Sequence, residues 1–136
     1  MHEKGQAILE FALAMPFLLM FIFFIVDCGL FAFSYVSATN AVREGARCAA
    51  VGGTNSAVAT RVANTSGGLN ATTEVTPNAY SPGATPSVGG NVTVAASYTY
   101  NWITPIDLVP GISSTSTFTK SVQMRMETAS ATKSSC

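Results

Sequence analysis

Charged and catalytic residue types are scarce in this sequence. Only 10% of the 136 residues are charged, and seven basic side chains balance seven acidic ones. No stripe of lysine and arginine is present, which argues against a nucleic-acid partner. The one histidine is His2, so the rest of the chain lacks the usual base of serine and cysteine catalytic sites. We therefore expect neither an enzyme nor a nucleic-acid-binding protein.

Patterns that hold metals or phosphates are missing as well. The sequence contains no Cys-x-x-Cys, no His-Glu-x-x-His and no Walker motif. Carboxylates are few after residue 52, where only Glu74, Asp107 and Glu127 occur. We expect no metal site, no cofactor and no catalytic residue.

Apolar residues, by contrast, are concentrated near the N-terminus, from Phe11 to Val26 and again from Cys28 to Tyr35. Together these stretches give about 24 residues, enough for the roughly 20 that span a bilayer. A secretory signal is the other interpretation of an early apolar run. This run is longer than the usual apolar core of such signals, about 7–15 residues, and only "VSA" at 36–38 offers a weak cleavage site after it. We expect a membrane-spanning helix.

The flanking charges predict how this helix is oriented. Lys4 precedes the apolar run, and basic residues mark the cytoplasmic side of a membrane, so the N-terminus should remain inside. Arg43 and Arg47 argue weakly for the opposite orientation, but they lie beyond the span and Glu44 offsets them. The remaining residues should then form an external domain.

Two carboxylates interrupt the apolar run, Glu10 and Asp27. A charge at the centre of a bilayer costs roughly 2.5–3.5 kcal/mol even on lenient insertion scales, so each acid needs a reason. Asp27 has two interpretations. It lies near the outer headgroups at little cost if the span begins at Gln6, whereas a span centred later buries it and requires a partner.

Residues 6–51 are predicted to form one long helix, with Pro16 either kinking it or acting as a harmless hinge. Beyond Phe33, small and apolar residues recur every three or four positions and should form the face on which an external domain rests. These residues are Tyr35, Ala38, Val42, Ala46 and Ala49. Gly52-Gly53 is a natural end for the helix.

Residues 52–136 are predicted to form a small head. We expect a short helix at Ser56–Asn64 and strands at Thr72–Thr76, Asn91–Trp102 and Ser116–Thr128, separated by proline-containing loops at 76–90 and 101–111. The expected fold class is α+β, with a long N-terminal membrane-spanning helix followed by a head that contains a short helix and about three antiparallel strands.

The first third of the chain carries a recognisable block of residues. Its elements are Gly5-Gln6, Glu10-Phe11-Ala12, Pro16, the Asp27-x-Gly29 pair and Arg43-Glu44-Gly45-Ala46-Arg47. Residues 5–50 resemble the TadE-like family of tight-adherence pilus proteins. The junction around Gly5 also resembles the site at which prepilin peptidase cleaves type IV pilins.

The resemblance implies a short leader at residues 1–5, cleaved after Gly5 so that Gln6 becomes the first mature residue. Glu10 would then pair with the free α-amine of Gln6 on a neighbouring subunit. The implied protein is a pilin or pseudopilin subunit that supports adhesion. It would be inserted in the bacterial inner membrane with a cytoplasmic N-terminus and later found in an extracellular pilus, in the periplasm or at the cell surface.

The implied partners are prepilin peptidase, other pilin subunits that pack through their helices, the inner-membrane assembly machinery and the membrane itself. TadE-like segments also occur as anchors on other proteins. The alternative is therefore a bitopic anchor that is never polymerised, whose external head binds a component of the cell envelope.

Three cysteines complete the candidate residues. Cys28 lies in the apolar run and should act as a small buried hydrophobic residue. Cys48 and Cys136 could form an intramolecular disulfide if the head is exported to an oxidising compartment. A disulfide between subunits through Cys136, or two independent thiols, are the other possibilities.

Overall fold

The computed structural model describes residues 3–69, 71–76, 88–104, 111, 113–129 and 132–136. In chain order the elements are helix α1 (Glu3–Ala50), helix α2 (Asn55–Thr65) and strands β1 (Ala71–Thr76), β2 (Asn91–Asn101) and β3 (Thr115–Arg125). The α+β prediction is confirmed. Parts of both predicted loops, 77–87 and 105–110, lie outside the described residues, as do Met1 and His2.

Helix α1 is continuous over 48 residues and begins at Glu3, three residues earlier than predicted. Gly5 does not stop it, since a glycine inside a helix costs only about 1 kcal/mol relative to alanine. Pro16 lies within α1 without ending it, although its ring nitrogen has no proton to donate to the preceding turn. The helix ends before Gly52, whose φ of 88° suits glycine.

The three strands form one antiparallel sheet in the order β1-β2-β3. Val94 of β2 lies between Val75 of β1 and Val122 of β3, which fixes the register across the sheet. Strand β3 ends earlier than predicted because the Glu127 N–H donates to the Ala50 carbonyl of α1, at 2.9 Å. Met126 still donates to the Gly90 carbonyl just before β2, at 2.7 Å, so the chain leaves the sheet for the helix at Glu127.

The core lies between α1 and one face of the sheet. Every second residue of β2 is buried there: Val92, Val94, Ala96, Tyr98 and Tyr100. The facing residues of α1 are small, with Ala38, Ala41, Val42 and Ala46 fully buried. Tyr35 is the exception in the predicted stripe, since it is 44% exposed at the edge of the sheet.

The C-terminal end of α1 is tied to the end of the chain. Cys48 and Cys136 are joined by a disulfide that spans 88 positions of sequence. A loop of that length implies a contribution of about 4 kcal/mol in the chain-entropy description. Backbone hydrogen bonds from Lys133 to Gly52 and from Thr54 to Lys133, both 2.9 Å, fasten the same region. Cys28 is exposed on α1, so the prediction that it is buried is wrong.

Helix α2 crosses α1 at Gly45, where a methyl group would collide with the Val62 side chain and touch Val58 at 3.5 Å. We expect Gly45→Ala to destabilise the head by about 1–2 kcal/mol, because overpacking outweighs the gain in helix propensity. The measurement is thermal unfolding of the full chain in detergent, followed by near-ultraviolet circular dichroism.

Gly29→Ala is the matched control, since a methyl group at Gly29 meets no atom within 4 Å. It should leave the transition unchanged or raise it slightly. Equal transitions for the two variants would contradict close packing at Gly45.

Candidate functional site

Asp27 is fully buried where α1 meets the C-terminal end of β2. Its Oδ1 accepts hydrogen bonds from the Ile103 N–H at 3.1 Å and from the Tyr100 hydroxyl at 3.3 Å. Its Oδ2 accepts from the Thr104 N–H at 2.6 Å and from the Thr104 hydroxyl. We call these four residues the Asp27 junction.

The junction explains how a buried carboxylate is tolerated. Within the described residues no cation pairs with Asp27. Instead, two successive backbone N–H groups and two hydroxyls point at its oxygens, an arrangement that suits an anion. Hydrogen bonds to an ionised acceptor are roughly twice as strong as neutral ones, so four of them offset much of the cost of removing the charge from water. Asp27 thus anchors the β2 end to the helix.

Aromatic rings pack beside this carboxylate. The Phe31 ring, one turn further along α1, stacks on Trp102 with centroids 5.5 Å apart and an interplanar angle of 16°. It meets Tyr100 and Phe118 edge-on, at 5.4 and 5.6 Å. The Trp102 indole N–H donates to the Ser116 hydroxyl at 2.9 Å, which ties β3 to the same place. These contacts give the junction an apolar wall.

Further along α1, two more aromatic residues, Tyr98 and Tyr35, lie beside these rings. Tyr98 is fully buried, and its hydroxyl donates to the Ala38 carbonyl at 3.5 Å. Burial raises the pKa of Tyr98. Burial also raises the pKa of Tyr100, and the negative charge of Asp27 raises it further, so the Tyr100 hydroxyl is held as a donor. At the edge, the Lys120 ammonium lies 3.4 Å from the centre of the Tyr35 ring.

The junction also marks a change in the surface of α1. Every residue from Gly5 to Val26 is exposed, and Asp27 is the first buried residue after this run. Residues 6–26 rise about 31 Å at 1.5 Å per residue, close to the roughly 30 Å thickness of a bilayer core. In the described residues α1 is the one helix long and apolar enough to cross a membrane. The head thus begins where a bilayer-length apolar segment ends.

The other residues predicted as functional lie far from this junction. Gly5, Gln6 and Glu10 are exposed in the first turns of α1, and Gln6 and Glu10 share a face because they are four residues apart. Asp27 follows Glu10 by 17 positions, or about 25 Å of helix. Among the described residues, no three metal-ligating side chains come together.

Sequence reasoning did not identify the residues that bind Asp27. One sequence pattern could have indicated this region. Tyr98, Tyr100 and Trp102 are two residues apart, which places three aromatic rings on one face at the end of β2. That face had to pack on α1, and Asp27 is the acid at the corresponding end of the helix. The two backbone N–H donors carry no such signal, because they depend on a bend after Trp102.

We expect Asp27→Asn to destabilise the attachment of the head by about 2–3 kcal/mol. The side-chain amide offers one acceptor oxygen instead of two, and its NH₂ group faces the N–H groups of residues 103 and 104, which are themselves donors. The measurement is unfolding of the full chain in detergent, followed by Trp102 fluorescence.

Thr104→Val is the graded control for this variant. It removes one hydroxyl donor and leaves the Asp27 charge, so it should cost less, about 1 kcal/mol. An Asp27→Asn protein as stable as the unmodified chain would contradict the anchoring role.

Comparison with known proteins identifies the segment that carries Asp27. Residues 5–47 match the family model described as TadE-like protein. Neither a curated protein nor a solved structure gave a significant match to the chain. The matched residues include Asp27 and Gly45, whereas the donors that bind Asp27 lie in the head, outside the match. Residues 5–47 of this chain, about a third of its length, are therefore similar to the TadE-like family.

Proposed function

We propose that the chain is a pilin or pseudopilin subunit of a tight-adherence type IV pilus that supports adhesion. The observation that carries the proposal is the TadE-like match over residues 5–47, which begins at Gly5 and contains Glu10. Processing after Gly5 by prepilin peptidase would leave Gln6 as the first residue of the mature subunit. The apolar part of α1 would hold that subunit in the bacterial inner membrane until assembly.

The geometry of the N-terminal turns supports a role for Glu10 in assembly. Gln6 and Glu10 lie on one exposed face of α1, where a neighbouring subunit can reach both. Cleavage would give Gln6 a positive α-amine, and the Glu10 carboxylate of one subunit would pair with the amine of the next. Two buried charges are tolerated when they are paired, so the apolar helices can pack around them.

The head suits the outer side of the membrane. Lys4 precedes the apolar segment, which favours a cytoplasmic N-terminus. The Cys48–Cys136 disulfide fits an oxidising compartment, such as the periplasm or the cell surface. Partners of the processed subunit would be other pilin subunits and the inner-membrane assembly machinery.

The processing step is tested at Gly5. We expect Gly5→Phe to block cleavage, because the peptidase site would have to admit a large side chain where glycine leaves the backbone free. The measurement is the intact mass and N-terminal sequence of the subunit recovered from membranes. The unmodified subunit should begin at Gln6, and Gly5→Ala, the matched control, should retain partial processing.

Two results would count against this proposal. Normal processing of the Gly5→Phe subunit would remove the prepilin interpretation of the site. An unmodified mature protein that begins at Met1 would favour an unpolymerised membrane anchor whose head binds an envelope partner.

The assembly step is tested at Glu10. We expect Glu10→Gln to insert and be processed normally but to assemble poorly, since the Gln6 amine would be buried unpaired in the fibre. Removing one partner of a buried ion pair costs roughly 3–5 kcal/mol, which implies a loss of about 100-fold or more in subunit addition. The measurement is the ratio of fibre protein on the cell surface to processed subunit in the membrane.

Glu44→Gln is the control for loss of a negative charge. Glu44 forms an exposed ion pair with Arg61 at 3.2 Å, and such pairs contribute little. An unchanged ratio in Glu10→Gln would exclude the pairing mechanism.

A further inference from the structure

One end of the head lies beside the exposed apolar segment of α1. The Ile103 N–H donates to Asp27, so the Ile103 backbone is at the level where the exposed run ends. Ile103 is 66% exposed, although its side chain is large and apolar. Trp102, next to it, is only partly buried. We call Trp102 and Ile103 the membrane-proximal pair.

The level of this pair relative to a bilayer follows from helix length. If α1 is inserted as in the proposed function, on which this inference rests, residues 6–26 cover about 31 Å and fill the bilayer core. Asp27 then lies at the outer headgroups. Because the Asp27 junction fixes the end of β2 at the level of Asp27, Ile103 must also lie at the outer headgroups.

The chemistry of this end fits a lipid surface. The described segments 98–104 and 113–118 contain no charged residue, and hydroxyl groups are frequent in them. The charged residues of the described head lie mostly towards the opposite end. Arg61 forms an ion pair with Glu44, and the Arg125 side chain borders Gly89. The backbone N–H of Lys133 donates to the Gly52 carbonyl, which places Lys133 near the end of α1. Tryptophan and apolar side chains among neutral polar groups are typical of proteins at a membrane interface.

We propose that this end of the head docks on the outer phospholipid surface before assembly, with Ile103 at the boundary of headgroups and acyl chains and Trp102 at headgroup depth. The end of β2 is then held in two ways, by the Asp27 junction within the chain and by the membrane-proximal pair on lipid. Leaving the membrane for a fibre would break the second contact and preserve the first.

Trp102 is the only tryptophan in the chain and reports its own surroundings. The experiment reconstitutes the full chain at low density in phosphatidylcholine vesicles whose acyl chains are brominated either near the headgroup or near the chain end. We expect quenching of Trp102 fluorescence by at least twofold with bromine near the headgroup, and weaker quenching with bromine at the chain end. Carbonate extraction of the same vesicles reports insertion separately.

The variants isolate the contribution of Ile103. Ile103→Ser should at least halve the quenching while insertion is unchanged, and Ile103→Leu should preserve the quenching. Val88→Ser is the matched control, because Val88 is similarly exposed, at 67%, but lies beside Gly89 and away from the junction. It should have no effect.

The possible negative results separate membrane insertion from lipid docking. Loss of the chain on carbonate extraction would overturn the proposed membrane insertion, and the docking with it. Full insertion with no quenching from either lipid would overturn the docking alone. Quenching that is equal in the Ile103→Ser and unmodified chains would do the same. A Trp102 signal that depends on protein density in the vesicles would assign the pair to contact with a second copy and would also overturn lipid docking.

Discussion

The carboxylate of Asp27 is the constraint on which the arrangement of helix and head depends. It is buried without a cation among the described residues and is satisfied by donors from a single short stretch of the head, Tyr100 to Thr104. The buried charge costs far less when the head lies where its donors reach the Asp27 oxygens than in any other placement. If the head is displaced along or around α1, the charge is left without hydrogen bonds. The interaction therefore sets position as well as stability.

The rest of the structure is consistent with that fixed point. After Phe31, α1 presents small residues to β2 from Ala38 onward and packs against α2 at Gly45, and the Cys48–Cys136 disulfide closes the opposite end. Before Asp27 every residue from Gly5 onward is exposed, and the length of this exposed segment matches a bilayer. One helix thus combines an exposed apolar segment of bilayer length with a segment that supports the head.

Much of this could be predicted from the sequence because it depends on local patterns. Hydrophobic length predicted α1, the alternation of side chains predicted β3, and the glycines after Val51 predicted the end of the helix. The Asp27 junction could not be predicted in the same way, because its donors are 73 or more positions away and two of them are backbone groups. The prediction that Cys28 is buried was wrong for a related reason. Apolar neighbours in the sequence do not distinguish a residue buried in the protein from one that faces outward.

The most direct test of this account is amide hydrogen exchange of Ile103 and Thr104 in the full chain, measured in micelles or vesicles. Both amides follow the end of β2, where exchange would ordinarily be fast, so their protection depends on Asp27. If Asp27 positions the head, both amides exchange as slowly as the core amides of β2, such as Val94, and Asp27→Asn speeds their exchange far more than that of Val94. Rapid exchange of both amides in the unmodified chain would contradict this positioning.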